Sequence, residues 1–263
     1  MGGSGRQGTW NGPGYGATAE HHRAVDAWFL ERHPPRPSDV VVDLGCGSGE
    51  FTARLAAMVP QGRVIGVDPD PSMLAAARRH EATNLSFVQA PAEALDGVIA
   101  PDSVDLVVSR AMLHWLGPSA YPRVFAAVFR VLRPGGWYHS ESAGAGNVQA
   151  IVARTDALAD RLGLPRPPPF PDAGSVFDQL EAAGFLIPTD GVRTVAQRRA
   201  MDRAALVGML RSQVAVVLIR EADPDRSSEV AEAMAAEADT VRRSDGSWDQ
   251  TFVRLDLLAQ KPA

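Results

Sequence analysis

Cysteine is almost missing from this chain of 263 residues: Cys46 is the sole one, so no internal disulfide can form. Lysine is almost missing too, and apart from Lys261 every fixed cation is arginine. Excess positive charge is absent: 26 Lys and Arg stand against 31 Asp and Glu, a formal net charge of −5, which leaves no basic footprint for nucleic acid. No apolar run approaches the roughly 18 residues of a membrane span. The opening Met1-Gly2-Gly3-Ser4-Gly5-Arg6 lacks the apolar core of a signal peptide and the hydroxyl residue a myristoylation signal wants at position six. Metal-ligand spacing is also lacking: His21 and His22 are adjacent and diverge on a helix, with no acids spaced to join them. These absences predict a cytoplasmic protein with no metal, membrane or nucleic-acid partner; a monomer or homodimer is expected.

What is present is an ordinary globular composition, 45% hydrophobic, and one highly patterned stretch. Val40-Val41-Val42 reads as a strand buried on both faces; Asp43, Leu44 and the turn Gly45-Cys46-Gly47-Ser48-Gly49 follow, and a helix starts at Glu50. Strand, glycine turn and helix build a nucleotide site at the carboxyl edge of a parallel sheet, where backbone approaches the ligand and helix N–H groups face it. A dinucleotide fingerprint needs G-x-G-x-x-G. Here the third glycine arrives one residue early, and the Asp43 carboxylate would repel a pyrophosphate. A carboxylate at that place suits a cationic ligand better.

The segment Asp43 to Gly49 resembles the first motif of class I S-adenosylmethionine (SAM) dependent methyltransferases. Four further segments resemble that family's later motifs in order. Arg63 to Asp68 is a second strand ending in an acid about 20 residues on, at the distance where a ribose diol is gripped. Leu85 to Leu95, Ser103 to Leu116 and Val131 to Trp137 follow, so the resemblance covers residues 38–143. It implies SAM as cofactor, held by Asp43, Gly45, Cys46, Gly47 and Asp68, with Pro69, Met73, Pro91, Ala92 and Glu93 around the adenine and Ser109 and Arg110 at the end of the fourth strand. Pro91 stands where many members carry an adenine-binding acid, and it has neither carboxylate nor N–H.

Strands near 39–44, 63–67, 84–88, 103–109 and 136–142 alternate with helices, which predicts a Rossmann-like α/β fold. Its sheet would be mostly parallel and seven-stranded, with an antiparallel last strand over Trp248 to Ala259 and a further strand over Phe185 to Val195. The expected division is a leader and helix at 1–36, the SAM-binding core at 37–144, a cap insertion at 145–171, a core helix and strand at 172–197, a helical cap at 198–245 and the final strand at 246–263. The glycine-rich residues 1–16 are expected to order on ligand binding.

The leader Trp10 to Tyr15 resembles that of the trans-aconitate methyltransferase branch, which implies that Tyr15 closes over the methyl donor and that Trp10 meets the acceptor. His114, just past the fourth strand, is the candidate catalytic group with Tyr15: a base if the acceptor is a hydroxyl, amine or carbon acid, and unnecessary if it is a carboxylate. His114, Trp115 and Glu141 are candidate acceptor contacts. The arginines Arg193, Arg198, Arg199, Arg203, Arg211 and Arg220 offer forks for a substrate carboxylate, or a solvated surface. The expected activity is methyl transfer to a small molecule at O, N or C, with a natural product or carboxylate as acceptor. The alternatives are cyclisation or rearrangement around bound SAM, or SAM binding without catalysis.

Overall fold

The structure is a computed structural model that describes residues 28–163, 166, 168–210, 224–238 and 243–263. Trp10, Tyr15, His21, His22, Arg211 and Arg220 lie outside the described residues.

Seven strands form one sheet in the order β3-β2-β1-β4-β5-β7-β6: β1 Val40–Leu44, β2 Arg63–Asp68, β3 Leu85–Gln89, β4 Val104–Arg110, β5 Leu132–Ala143, β6 Val192–Met201 and β7 Trp248–Gln260. The first five pair in parallel; β7 runs antiparallel between β5 and β6. Strand order reverses at β1 and β4, and the crevice beyond the carboxyl ends of those two strands is where such sheets bind ligands.

Helices flank both faces. One carries α1 (residues 28–32), α2 Glu50–Met58 and α3 Pro71–Ala77; Phe29, Leu55 and Leu74 pack there on Val41, Val64, Leu106 and Val108. The other carries α4 Tyr121–Val131 and α6 Ala173–Ala182, with Phe125, Val128 and Leu180 against Val42, Val107 and Tyr138. Val41 and Val42 point to opposite faces and are both fully buried, as the apolar run predicted.

A second apolar core joins α5 Gln149–Leu162, α7 Arg203–Met209 and α8 Pro224–Ala238 around the fully buried Trp248. Ile151, Leu206, Leu210 and Met234 are its centre, so the Leu206 to Leu210 run packs as core. The β6–β7 hairpin carries this helical cluster, because Met201 at the end of β6 pairs with Trp248 at the start of β7.

Two strand boundaries differ from the sequence expectation. The chain after α6 bridges the sheet only at Leu186, turns at Pro188 to Gly191, and enters β6 at Val192, not Phe185. β6 then runs on to Met201, so Arg198 and Arg199 belong to a strand and not to cap helix. β5 starts at Leu132, four residues before the expected position, with a register shift opposite Val104 to Leu106 that absorbs Pro134 to Gly136.

Candidate functional site

The glycine turn is pinned from below. The N–H groups of Gly45 and Cys46 both donate to the Val67 carbonyl, at 2.7 and 3.1 Å. The Gly47 N–H donates to Asp68 Oδ2 at 2.9 Å, and the Asp70 N–H to Oδ1 at 2.9 Å. Each Asp68 oxygen keeps lone-pair capacity for a second donor such as a ribose hydroxyl. Asp70 caps α3 through the Ser72 and Met73 N–H groups.

Gly45 and Gly47 both sit at positive φ, +79° and +53°, but their surroundings differ. A Cβ on Gly45 would lie 2.4 Å from Met112 Cγ, whereas one on Gly47 would meet nothing within 4 Å. The Gly47 backbone therefore faces open space beside Asp68, as a closely held ligand requires.

Asp43 lies beneath this turn, buried, accepting the Thr52 hydroxyl of α2 at 2.7 Å. Burial pushes its pKa up to about 7; the Thr52 bond opposes this and the Asp68 charge adds to it. Burial likewise raises Asp68. Two carboxylates whose charged forms are held at a cost favour a cationic ligand, and the residues present fit SAM, which brings a sulfonium and an ammonium group. Cys46 is buried and its thiol is pushed far up by burial, which suits packing rather than nucleophilic chemistry.

The other candidates divide. Met73 and Ala92 are buried, Glu93 is half-buried, and Pro69 and Pro91 are exposed. Pro91 precedes the short 3₁₀ helix Ala92–Gly97, so its ψ of 152° is extended and its place is a helix start. Ser109 is fully buried, in register with Ser140 on the face that carries Tyr138. The structure thus turns Ser109 away from the face that carries Arg110, whose guanidinium lies over the Phe51 ring at 4.7 Å.

Ala111, at a φ of +52°, turns the chain out of β4, and its N–H donates to the Glu141 carbonyl at 2.7 Å. This places Met112 on Gly45 and starts the 3₁₀ turn Leu113–Trp115. His114 Nδ1 there accepts the Ala143 N–H at 3.3 Å, with the Trp115 and Phe170 rings at 5.1 and 6.1 Å. In the neutral ring the proton is then on Nε2. Burial, helped by the Arg254 charge, pushes its pKa down to about 3. Glu141 is fully buried and paired with Arg254.

Reasoning from sequence missed Arg254 and Phe170. The signal for the first is the alternation Arg254-Leu255-Asp256-Leu257: the leucines enter the α4 and α6 core, and both charged residues share the opposite face. Three of the candidate cap arginines have partners elsewhere in the fold. Arg193 holds Asp256 at 2.8 Å, Arg203 holds Glu232 at 2.8 Å, and Arg199 lies over Phe252. His139 and fully buried Asp256 are 3.2 Å apart, Arg32 of α1 also reaches Asp256, and Phe29 stacks on His139 at 3.7 Å. That cluster clamps α1 to the sheet.

Comparison with known proteins places this geometry. The methyltransferase domain family matches residues 41–136. A trans-aconitate 2-methyltransferase of Methylobacterium radiotolerans is 29% identical over 96% of this chain and 98% of its own length. One from Deinococcus radiodurans is 41% identical, but the match covers 49% of this chain and only 47% of that protein. Among solved structures, a Haemonchus contortus phosphoethanolamine N-methyltransferase 2 in complex with S-adenosyl-L-methionine shares the fold with a TM-score of 0.62 at 16% identity, over 96% of this chain and 57% of that one. No helix among the described residues is long and apolar enough to cross a membrane. With its sheet, its glycine turn and its acidic pair, the chain carries a methyltransferase domain over residues 41–136 and is similar to the class I SAM-dependent methyltransferases, the trans-aconitate 2-methyltransferases among them.

Proposed function

We propose that this protein esterifies a carboxylate of a small organic acid. The observation that carries this reading is the state of His114. Its Nδ1 is engaged by the Ala143 N–H and its pKa is depressed to about 3, so it stays neutral and offers a donor at Nε2. The base role that the sequence left open is not the one we propose. A hydroxyl, amine or carbon acid needs a proton removed, whereas a carboxylate is already a nucleophile at neutral pH. The name of the Methylobacterium relative, which covers nearly the whole chain, points the same way.

Held at the glycine turn by Asp43, Asp68 and the turn backbone, SAM would supply an electrophilic methyl, which a carboxylate oxygen would take as the C–S bond breaks, leaving neutral adenosylhomocysteine and requiring no proton transfer. The work of the chain is placement and exclusion of water. Asp68 and Asp43 fix the cofactor end, Met112 buttresses the turn, and His114 Nε2–H, with Trp115 and Phe170 beside it, orients the acceptor. Tyr15 and Trp10 belong to the segment we assign to closing the site.

The test is incubation with methyl-labelled SAM and a panel of acceptors: trans-aconitate, other di- and tricarboxylates, and hydroxyl and amine compounds of similar size. A carboxyl ester releases volatile labelled methanol in mild alkali, whereas N-methyl, C-methyl and ether products do not. Alkali-labile label on acids supports the reading. Stable label on alcohols or amines with the acids unlabelled overturns it.

A further inference from the structure

The two acids beneath the glycine turn are matched unequally. Asp43 is in register with Gly66 on the neighbouring β2, and Asp68 lies two residues further along that strand, on the same face. Asp68 receives two backbone donors, the N–H groups of Gly47 and Asp70, one on each oxygen. Among the described residues Asp43 receives one donor, the Thr52 hydroxyl, and it is the more deeply buried of the two acids. No cation among the described residues pairs with either acid.

Two carboxylates that share a buried site do not both ionise readily: charge settles on the one with the better donors, and the other keeps a proton. The backbone donors favour charge on Asp68, which leaves the proton to Asp43. Thr52 serves either state, since a hydroxyl donates to a carboxylate and accepts from a carboxylic acid. The other titratable and charged groups on the packed elements are few. Cys46 of the turn stays a thiol, and Asp70 adds a negative charge beside Asp68. Glu50 at the start of α2 is exposed and paired with Arg79. On β4, Arg110 stands two residues past Val108, the register partner of Asp43, with its guanidinium over the Phe51 ring at 4.7 Å. Burial is the largest influence on Asp43; the Thr52 bond opposes it, the Asp68 charge adds to it, and its pKa is pushed up to about 7. Burial raises Asp68 as well, but its two backbone bonds work against the rise.

We infer that Asp43 holds a proton until the cofactor binds and gives it up to solvent when the ammonium group of the ligand arrives, so that cofactor exchange is a proton-linked step. The O–H bond of the carboxylic acid breaks, the proton leaves to the buffer, and the remaining carboxylate balances a cation that was already charged in solution. When adenosylhomocysteine departs, the carboxylate loses that cation and takes a proton back from solvent. Asp43 is thereby neutral without ligand, which spares the fold two adjacent buried charges, and charged with it. Protons and cofactor compete for one carboxylate, so acid weakens cofactor binding. The inference concerns the cofactor end of the site and holds for any acceptor.

The test is calorimetry of adenosylhomocysteine binding at pH 6, 7 and 8, each in two buffers of different ionisation enthalpy, where the difference in observed heat counts the protons exchanged. In the wild type we expect release of about nine-tenths of a proton per ligand at pH 6, about half at pH 7 and about a tenth at pH 8, with affinity about 10-fold lower at pH 6 than at pH 8. Methylthioadenosine keeps the base and ribose and lacks the ammonium group, so it should bind with no proton released. Asp43→Asn, checked for folding by thermal melts, should release none with either ligand and bind adenosylhomocysteine with little dependence on pH. Infrared difference spectra of the wild type at pH 6 need no variant: the carbonyl band of a protonated carboxyl should vanish when adenosylhomocysteine binds. Binding heat independent of buffer at pH 6 and 7, or a carboxyl band that ligand leaves unchanged, overturns the inference. Equal proton release with methylthioadenosine overturns the role of the ammonium group. Release that persists in folded Asp43→Asn assigns the proton to another group and overturns the role of Asp43.

Discussion

Replacing Gly45 by alanine probes the site at the point where backbone geometry and packing meet. At φ +79° an L side chain is strained, by roughly 1–2 kcal/mol. The added methyl would also fall 2.4 Å from Cγ of Met112, a residue that is itself buried and cannot swing into solvent. Overpacking of this kind costs about 1–3 kcal/mol. Together these give a loss of about 2–5 kcal/mol, or roughly 4–10 °C in melting temperature at about 2 °C per kcal/mol for a chain of this length. Gly47→Ala is the control: its φ is also positive, but its methyl enters open space, so only the strain of about 1–2 kcal/mol applies. The two variants separate again in ligand binding. Gly47→Ala should cost little fold stability and much adenosylhomocysteine affinity, because the methyl stands where the ligand approaches. In the double variant Gly45→Ala/Met112→Ala the clash disappears, so the two changes should couple favourably by about 1–3 kcal/mol. Denaturant melts of the four proteins in the cycle and calorimetry with adenosylhomocysteine supply the numbers. Equal destabilisation by the two glycine variants, with additive behaviour in the cycle, would refute the claim that Met112 buttresses the turn.

Asp68→Ala should weaken SAM and adenosylhomocysteine binding by about 1–3 kcal/mol in calorimetry, since it removes an acceptor for ribose hydroxyls and releases the Gly47 N–H; a folded variant with unchanged affinity removes Asp68 from the site. Asp256→Ala strands Arg32 on α1 and His139 on β5 and should cost about 3–5 kcal/mol in denaturant melts, whereas Arg193→Ala, which removes a half-exposed partner, should cost under about 1 kcal/mol; equal losses would contradict the clamp. His33 and His114 have pKa values pushed down to about 4 and about 3, first by burial, so between those values and 6.5 the unfolded chain binds more protons and stability falls as pH is lowered. Asp43 works the other way: with its pKa raised to about 7, the stability it contributes is full below 3.8 and is lost as pH rises through 7. Denaturation midpoints from pH 4.5 to 8 should therefore vary less with acid in His114→Gln and less with base in Asp43→Asn, and the opposite pair of trends would refute the assignments.

The sequence by itself determined the core of this protein. Val40 to Val42, the three alternate glycines and Asp68 specify a strand, a turn and a second strand through local sterics and burial, and these depend on neighbours within a few residues. The same locality made the alternation from residue 38 to 143 legible as a parallel sheet. Tertiary structure decided the rest, because it depends on which strands become neighbours. The insertion of β7 beside β5 puts Arg254 next to Glu141 and Asp256 next to His139, pairs 113 and 117 residues apart in the chain. No spacing rule reaches that far. Burial then sets the chemistry: it holds His114 neutral and raises Asp43, and desolvation is a property of the packed environment rather than of residue type. The same pairing turned Arg193 from a candidate substrate fork into a structural partner of Asp256, and set Arg254 of the last strand against the buried Glu141.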